Sequence, residues 1–432
     1  MNSLNTKQPY DALILNFWTY KNMGGLLQAW ALQKTVKSLG YKNALINKKS
    51  YTCQYEGSFI ERFANKHLQI TAEYDDNSLG ECNLLSDTII LGSDCIWGNW
   101  RHKLEPIEIY CGNFIDANKK IISYAPSFGN KTLTFNEKDE QLIRFWLHRI
   151  DFCSVRETSG VEILNKMGIN ATQVIDPTLL LKKEDYLQIL GNIKFDKSNY
   201  IFNYSIGIKA DDEAYKEVYN KLKKENILSL DQKELDKLDV ADWLYHIKNS
   251  RLIITNSYHA CCFAIIFKVP FLIFAPYGLD TSRFDSLLGM LGLENRILRS
   301  KKDVDKFQNL FEPIDWEKVN SILEKEKEKS LKWLKEALEA PKDLSKINPS
   351  DAMIKHLNDK ILDLQKKTAL FITQKDFTDI IEYSQNYKKY IKYKILKNFA
   401  FGETRNRYKR KQYVYHEKIR NARRVKKALL AN

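Results

Sequence analysis

Short apolar runs alternating with amphipathic stretches constrain this chain more than any other feature. "ALILNF" (12–17) precedes a helical pattern over Gly25 to Leu39, and "TIILG" (88–92) and "KIISYA" (120–125) precede a helix near 138–149. "FCSV" (152–155), a helix at about 158–167 and "VIDPTLLL" (174–181) follow. An apolar run without polar alternation suits a strand buried on both faces, the condition of a parallel strand covered by crossover helices. The order therefore predicts an α/β protein. The alternation restarts at "YIFNYSI" (200–206). It continues through a charged helix (211–225), "ILSL" (227–230), a helix over 240–249, "RLIIT" (251–255), a helix from about Tyr258 to Phe267, and "PFLIF" (270–274).

The chain has 432 residues, more than the roughly 250–300 at which a single core stops growing. Two Rossmann-like domains facing each other across a cleft are expected, at 1–190 and 195–315, joined by the polar segment 183–199; one large sheet is the alternative. After Trp316 the pattern becomes long charged helices, giving a helical extension over 316–387 and a basic tail over 388–432. The charges of the extension read as a solvated face.

Charge is unevenly placed. Of 68 Lys+Arg, 16 lie in residues 388–432, which hold only Glu403 and Glu417 of the 54 acids, so the remainder carries 52 of each sign. A neutral body argues against nucleic acid as a partner, since such a protein concentrates cations around its working groove. Seven cysteines show no C-x-x-C pair or zinc-type spacing with histidine, so no metal is expected. They read as reduced thiols of a cytoplasmic protein. No apolar run reaches the roughly 18–20 residues of a membrane span.

In α/β sheets ligands bind beyond the carboxyl ends of strands. "TNSYHACC" (255–262) follows such an end: Asn256 or Ser257 can cap the next helix and His259 falls near its first turn. Free N–H groups and the helix dipole there favour an anion, and an imidazole beside it can act as a proton donor. The competing reading is a satisfied histidine under a loop. "NFWTYKNMGG" (16–25) places Asn22, Gly24 and Gly25 after another strand, where glycines permit close approach to a ligand or simply form a turn. "LGSDCIWG" brings Ser93 and Asp94 to a strand end; Asp94 caps a helix or faces the cleft. Arg156 in "SVRETSG" needs a partner if buried, either an acid such as Asp176 or a ligand anion. Lys209 and Arg283 are further cations in expected domain-facing loops.

Taken in order, "NMGGLLQAWALQ", "IILGSDCIW", "SYAPSFG", "SVRETSG", "VIDPTLLL", "TNSYHACCFAIIFKVPF" and "RFDSLLGMLGL" resemble the polysaccharide pyruvyl transferase family over about residues 11–340. The resemblance implies a GT-B-like fold and transfer of a pyruvyl group from phosphoenolpyruvate to two hydroxyls of a sugar, forming a cyclic ketal and releasing phosphate. It implies His259 as the catalytic residue, no cofactor beyond that donor substrate, and Arg156 at the donor. Asn256, Ser257, Arg283 and Lys209 join it as expected donor-binding groups. Many members carry Arg-x-His where this chain has Ser257-Tyr258-His259, so Arg283, Lys209 or another basic group would replace that cation.

The basic tail mixes cations with Tyr, Ile, Leu and Phe, as an interfacial helix on anionic lipid does. This fits a lipid-linked glycan acceptor and a peripheral position at the inner membrane face. Two rivals remain. One is a GT-B-type glycosyltransferase using a nucleotide sugar, with Asp280 or Asp94 on a ribose. The other is a non-catalytic, membrane-associated glycan-assembly protein.

Overall fold

The computed structural model describes residues 8–19, 22–49, 57–98, 107–132, 135, 137–190, 199–205, 212–229, 234, 238–275, 280–347 and a few positions between 386 and 416. Its strands form two separate sheets, so the single-sheet alternative falls. The first has seven strands: β1 (Ala12–Leu15), β2 (Asn43–Lys48), β3 (Ile70–Tyr74), β4 (Thr88–Leu91), β5 (Lys120–Ser123), β6 (Phe152–Val155) and β7 (Thr172–Gln173), in the order β3-β2-β1-β4-β5-β6-β7. The second has five: β8 (Ile201–Tyr204), β9 (Ile227–Ser229), β10 (Leu252–Thr255), β11 (Phe271–Phe274) and β12 (Ile297–Leu298), ordered β12-β11-β10-β8-β9. Among the described residues every strand pairing is parallel. This is the expected α/β, GT-B-like layout of two Rossmann-like sheets.

Three apolar layers follow from the two-residue period of a strand. Ala12, Ile14, Ile90 and Ile122 of the first sheet face a core that also holds Phe202, Ile253, Phe271 and Ile273 of the second. Leu13, Leu15, Ile89 and Ile121 point the other way into a core behind the first sheet, and Ile201, Leu252, Ile254 and Leu272 into one behind the second. The lobes thus share a continuous apolar interior, with polar groups gathered where the strands end.

The helix Trp316–Glu339 is more than a solvated appendage. Val319, Leu323, Leu334, Ala337 and Leu338 enter the shared core. Ser330 Oγ accepts the N–H of Ile175 at 3.1 Å, and Lys120 Nζ donates to the carbonyls of Leu338 and Ala340 at 2.6 and 2.8 Å. A cation on the final carbonyls complements the helix dipole and satisfies acceptors that have no partner within the helix. The helix therefore fastens to β5 of the first sheet, although it follows the second in sequence.

Six of the seven cysteines, at 82, 95, 111, 153, 261 and 262, are free and buried. Among the described residues no helix is long and apolar enough to cross a membrane. The expected polar linker 183–199 is corrected in its first half: Lys183–Leu190 is a helix that buries Tyr186, Ile189 and Leu190. Residues 191–198, most of the extension past Ile347 and most of the basic tail lie outside the described residues.

Candidate active site

A doubly wound parallel sheet has a crevice where neighbouring strands send their connections to opposite sides. In the first sheet that point lies between β1 and β4, in the second between β8 and β10. The helix after β1 is Met23–Ser38 and the helix after β10 is Tyr258–Phe267. Their first turns meet. A Cβ built on Gly24 would stand 2.3 Å from His259 Cβ, 2.4 Å from Cγ and 2.5 Å from Nδ1. The expected close approach at Gly24 is therefore an approach to the imidazole itself, from the opposite lobe.

Local chemistry fixes both helix starts. Asn22 Oδ1 accepts the Gly25 N–H at 3.0 Å, and Ser257 Oγ accepts the Ala260 N–H at 3.4 Å, while Thr255 Oγ1 takes the Ser257 N–H at 2.9 Å. Each cap satisfies an N–H that the helix cannot. His259 becomes the second residue of its helix and is only 5% exposed. Its ring has two unlike edges. Nε2 is sealed, has no hydrogen-bond partner and lies 3.7 Å from Asp176 Oδ2, an ion-pair distance rather than a hydrogen bond. Nδ1 lies on the edge beside Gly24.

Asp176 is held from both sides. Its Oδ1 accepts the N–H and the hydroxyl of Thr178 at 3.0 and 2.7 Å, and its Oδ2 accepts Arg156 Nη1 at 2.8 Å. Arg156 is fully enclosed. Its Nη2 reaches Asp94 Oδ1 at 3.3 Å and Cys95 Sγ at 3.5 Å, its Nε lies 3.6 Å from Glu157 Oε2, and its guanidinium sits 4.3 Å from the Tyr258 ring centroid. Such a buried cation requires these acids, and Asp94 takes up a left-handed φ of 71° to supply one. Each nitrogen of Arg156 thus lies within 3.6 Å of a protein acid, although Nε makes no hydrogen bond.

Two of the three carboxyls beside Arg156 are pushed in opposite directions. Burial tends to raise Asp176, but His259, Arg156 and Thr178 outweigh it and hold its pKa well below the usual carboxylate range. Burial dominates at Glu157 and raises its pKa, against Arg156, Ser127, Arg283 and the Phe128 N–H. A depressed folded pKa contributes stability above the unfolded value, near 3.8 for Asp176, and that contribution disappears as pH falls through the folded pKa. Denaturant midpoints of the native protein and Asp176→Asn are therefore expected to differ at pH 5, where the carboxylate is ionised in both the folded and the unfolded chain. The difference should shrink on acidification below about pH 4; one that grew there would contradict the ion pairing.

The remaining candidates divide by position. Arg283 lies in the first turn of the helix Ser282–Leu291, not in a loop as expected. Its Nη1 contacts Cys95 Sγ at 3.3 Å, its guanidinium lies 6.0 Å from the Tyr258 ring centroid, and its Nε has no partner. Arg283 as a residue is half-buried, whereas Arg156 is buried; the unpartnered Nε of Arg283 is itself sealed from solvent. Asn256 and Ser257 are half-buried at the mouth of the seam. Ser93 Oγ donates to Gln28 Oε1 at 2.6 Å, tying the loop after β4 to the Gly24 helix. Gly25 serves the Asn22 cap, and Lys209 lies outside the described residues. Asp280 caps locally, accepting the Ser282 N–H at 2.8 Å and the Lys131 N–H at 2.8 Å across the lobes. Thr178 and Tyr258 were not singled out by sequence, and Asp176 entered only as one possible partner of Arg156. An acid two residues before a threonine, ahead of a leucine run, was the available signal.

Among solved structures the chain is similar to MnaA of S. aureus in its UDP co-structure, with 12% identity and a TM-score of 0.43, covering 68% of this chain and 86% of that one. It is also similar to the UDP-GlcNAc 2-epimerase of Methanocaldococcus jannaschii in complex with UDP-GlcNAc and UDP (12%, 0.41, 69% and 92%). The ADP-heptose LPS heptosyltransferase II of E. coli is a third (8%, 0.31, 73% and 99%). No curated protein matches the chain. The sequence pattern of polysaccharide pyruvyl transferases matches residues 22–276. That span is more than half of the chain, and it contains both helix starts at the seam together with Arg156, Asp176 and His259. The chain belongs to the polysaccharide pyruvyl transferase family.

Proposed function

We propose that this chain transfers a pyruvyl group from phosphoenolpyruvate to two hydroxyls of a sugar in a surface-polysaccharide precursor. The observation carrying this reading is the placement of His259 at the junction of the two crevices. One ring edge faces an acid fixed by Arg156 and Thr178, and the other lies beside Gly24. Such an imidazole has an anionic support behind it and a separate nitrogen for chemistry.

In the proposed reaction His259 gives a proton to the methylene carbon of phosphoenolpyruvate, forming a methyl group as the C=C pair is used. The adjacent carbon becomes electrophilic and the first sugar hydroxyl adds to it. The bond from that carbon to the phosphate oxygen then breaks, phosphate leaves with the electron pair, and the second hydroxyl closes the ketal. Of the two hydroxyl protons, one restores His259 and the other leaves on phosphate. All of these steps use the chain's own groups. Arg283, the start of the His259 helix with Asn256 and Ser257, and Lys209 are the proposed donor contacts; Arg156 acts through Asp176.

Phosphoenolpyruvate labelled with ¹³C at its second carbon, supplied with a panel of methyl hexopyranosides, tests the reading. The label is expected in a quaternary ketal carbon, with an equimolar release of phosphate. Transfer of a hexose from UDP-sugars to the same acceptors, with phosphoenolpyruvate untouched, would favour a glycosyltransferase instead. Residues 388–432 are the proposed contact with anionic membrane, where a lipid-linked precursor would lie. Co-sedimentation with phosphatidylserine liposomes should fall when they are removed, and equal partition would remove the membrane proposal.

A further inference from the structure

The alternation of β1 continues past its last residue. Ala12, Ile14 and Trp18 enter the core shared by the lobes, while Leu13, Leu15 and Phe17 enter the core behind the sheet. Asn16 therefore falls on the interlobe side, at the carboxyl end of the strand that borders the crevice between β1 and β4. It is 4% exposed, and neither Oδ1 nor Nδ2 has a hydrogen-bond partner. A buried amide unsatisfied at both ends is rare in a folded protein and calls for an explanation at a functional site.

The surroundings favour a ligand over a local structural role. The β1–β4 register pairs Leu15 with Leu91 and so brings Gly92 beside Asn16, and the Gly92 N–H donates to the Leu15 carbonyl at 3.0 Å. Gly92 presents no side chain, and its φ of 130° together with a built Cβ only 2.2 Å from the Tyr124 carbonyl oxygen keeps that position bare. The helix that follows carries Gly24 and Gly25 at its start, then Gln28. Gln28 is used at both ends: its Nε2 donates to the Gly25 carbonyl at 2.8 Å and its Oε1 accepts from Ser93. Of these two buried amides, Gln28 builds the wall and Asn16 is left with its polar atoms unspent.

We infer that Asn16 binds the acceptor sugar, taking one hydroxyl between its Oδ1 and Nδ2; this rests on the reading that the crevice transfers pyruvate to sugar hydroxyls. A carboxamide asks for a partner that both donates and accepts. A sugar hydroxyl does so. The phosphate and carboxylate of phosphoenolpyruvate accept only, and would set negative charge against Oδ1. Asn16 therefore distinguishes acceptor from donor, and the same loop leads to Gly24 and to the His259 edge where the donor would react.

The full-length protein, labelled with ¹⁵N-asparagine, tests this directly. The side-chain NH₂ pair of Asn16, assigned by its loss in Asn16→Asp, should shift on adding methyl hexopyranosides and stay in place with phosphoenolpyruvate alone. A response to phosphoenolpyruvate but to no glycoside, or to neither, overturns the assignment. Asn16→Leu supplies an independent reading, because removing an unpartnered buried amide should keep or raise Tm while function suffers. Its KM for glycoside should rise about tenfold or more, the loss of one good hydrogen bond, with KM for phosphoenolpyruvate within about twofold. Both constants at native values would refute it. If glycosides move the Asn16 signals yet phosphoenolpyruvate yields no phosphate with any of them, the sugar site stands and the pyruvyl reading falls.

Discussion

Replacing His259 with asparagine is expected to lower kcat for phosphate release from phosphoenolpyruvate by a factor of about 10² to 10⁴, the range for losing a positioned general acid. The fold should survive. His259 Nε2 makes no hydrogen bond, and the helix is secured by the Ser257 cap and by Cys261, Cys262, Phe263 and Ile265 in the interior. Asparagine is also shorter, so it does not press further on Gly24. Because the proton moves only during the reaction, the loss should fall on kcat with KM for phosphoenolpyruvate nearly unchanged. Steady-state phosphate release with a glycoside acceptor measures both. A variant that kept native kcat would show that another group supplies the proton.

Gly24→Ala sets two physical effects against each other. Alanine is the better helix former by roughly 0.5–1 kcal/mol, and Gly24 is the second residue of the helix Met23–Ser38, so propensity alone predicts a more stable protein. Packing predicts the reverse. The added Cβ would meet His259 at 2.3 to 2.5 Å, closer than carbon and nitrogen atoms can approach. Overpacking of this kind costs about 1–3 kcal/mol, which exceeds the propensity gain. The strain would be relieved by moving the imidazole or the helix start, and a displacement of about 1 Å at reacting groups can cost roughly 10² in rate. Urea denaturation and phosphate release should therefore both report a loss. A raised midpoint with activity intact would mean that Gly24 and His259 are not in contact in solution.

What could be read in advance follows from how far each interaction reaches along the chain. Central strands such as β4, β5 and β10 are buried on both faces and announce themselves as unbroken apolar runs. Three of the four edge strands do not: β3, "ITAEY", is partly exposed, and β7 and β12 are two residues each. The helix Trp316–Glu339 looked like a solvated surface because charge fills most of its positions. The partners that bind it, Lys120 and Ile175, are 155 to 220 residues away in sequence, beyond any local pattern.

The site divides in the same way. Ser257 as a cap and His259 in the first turn are local consequences of a strand followed by a helix, and both were legible. That a buried Arg156 would need a partner, either an acid or a ligand anion, was legible as well, since a buried guanidinium must be paired. Which of Asp94, Glu157 and Asp176 would turn toward it depends on the folding of loops after three different strands. Gly24 is the clearest case of a residue whose type was informative and whose reason was not. A glycine after a strand signals close approach, but only the docking of the second lobe reveals that the approaching group is His259.

Calorimetric titration of the full-length protein with phosphoenolpyruvate, and separately with UDP-glucose, is the most direct probe of the chemistry assigned to the crevice. Saturable 1:1 binding of phosphoenolpyruvate is expected, weakened in Arg283→Met and undisturbed by UDP-glucose. Heat from UDP-glucose with none from phosphoenolpyruvate would contradict it.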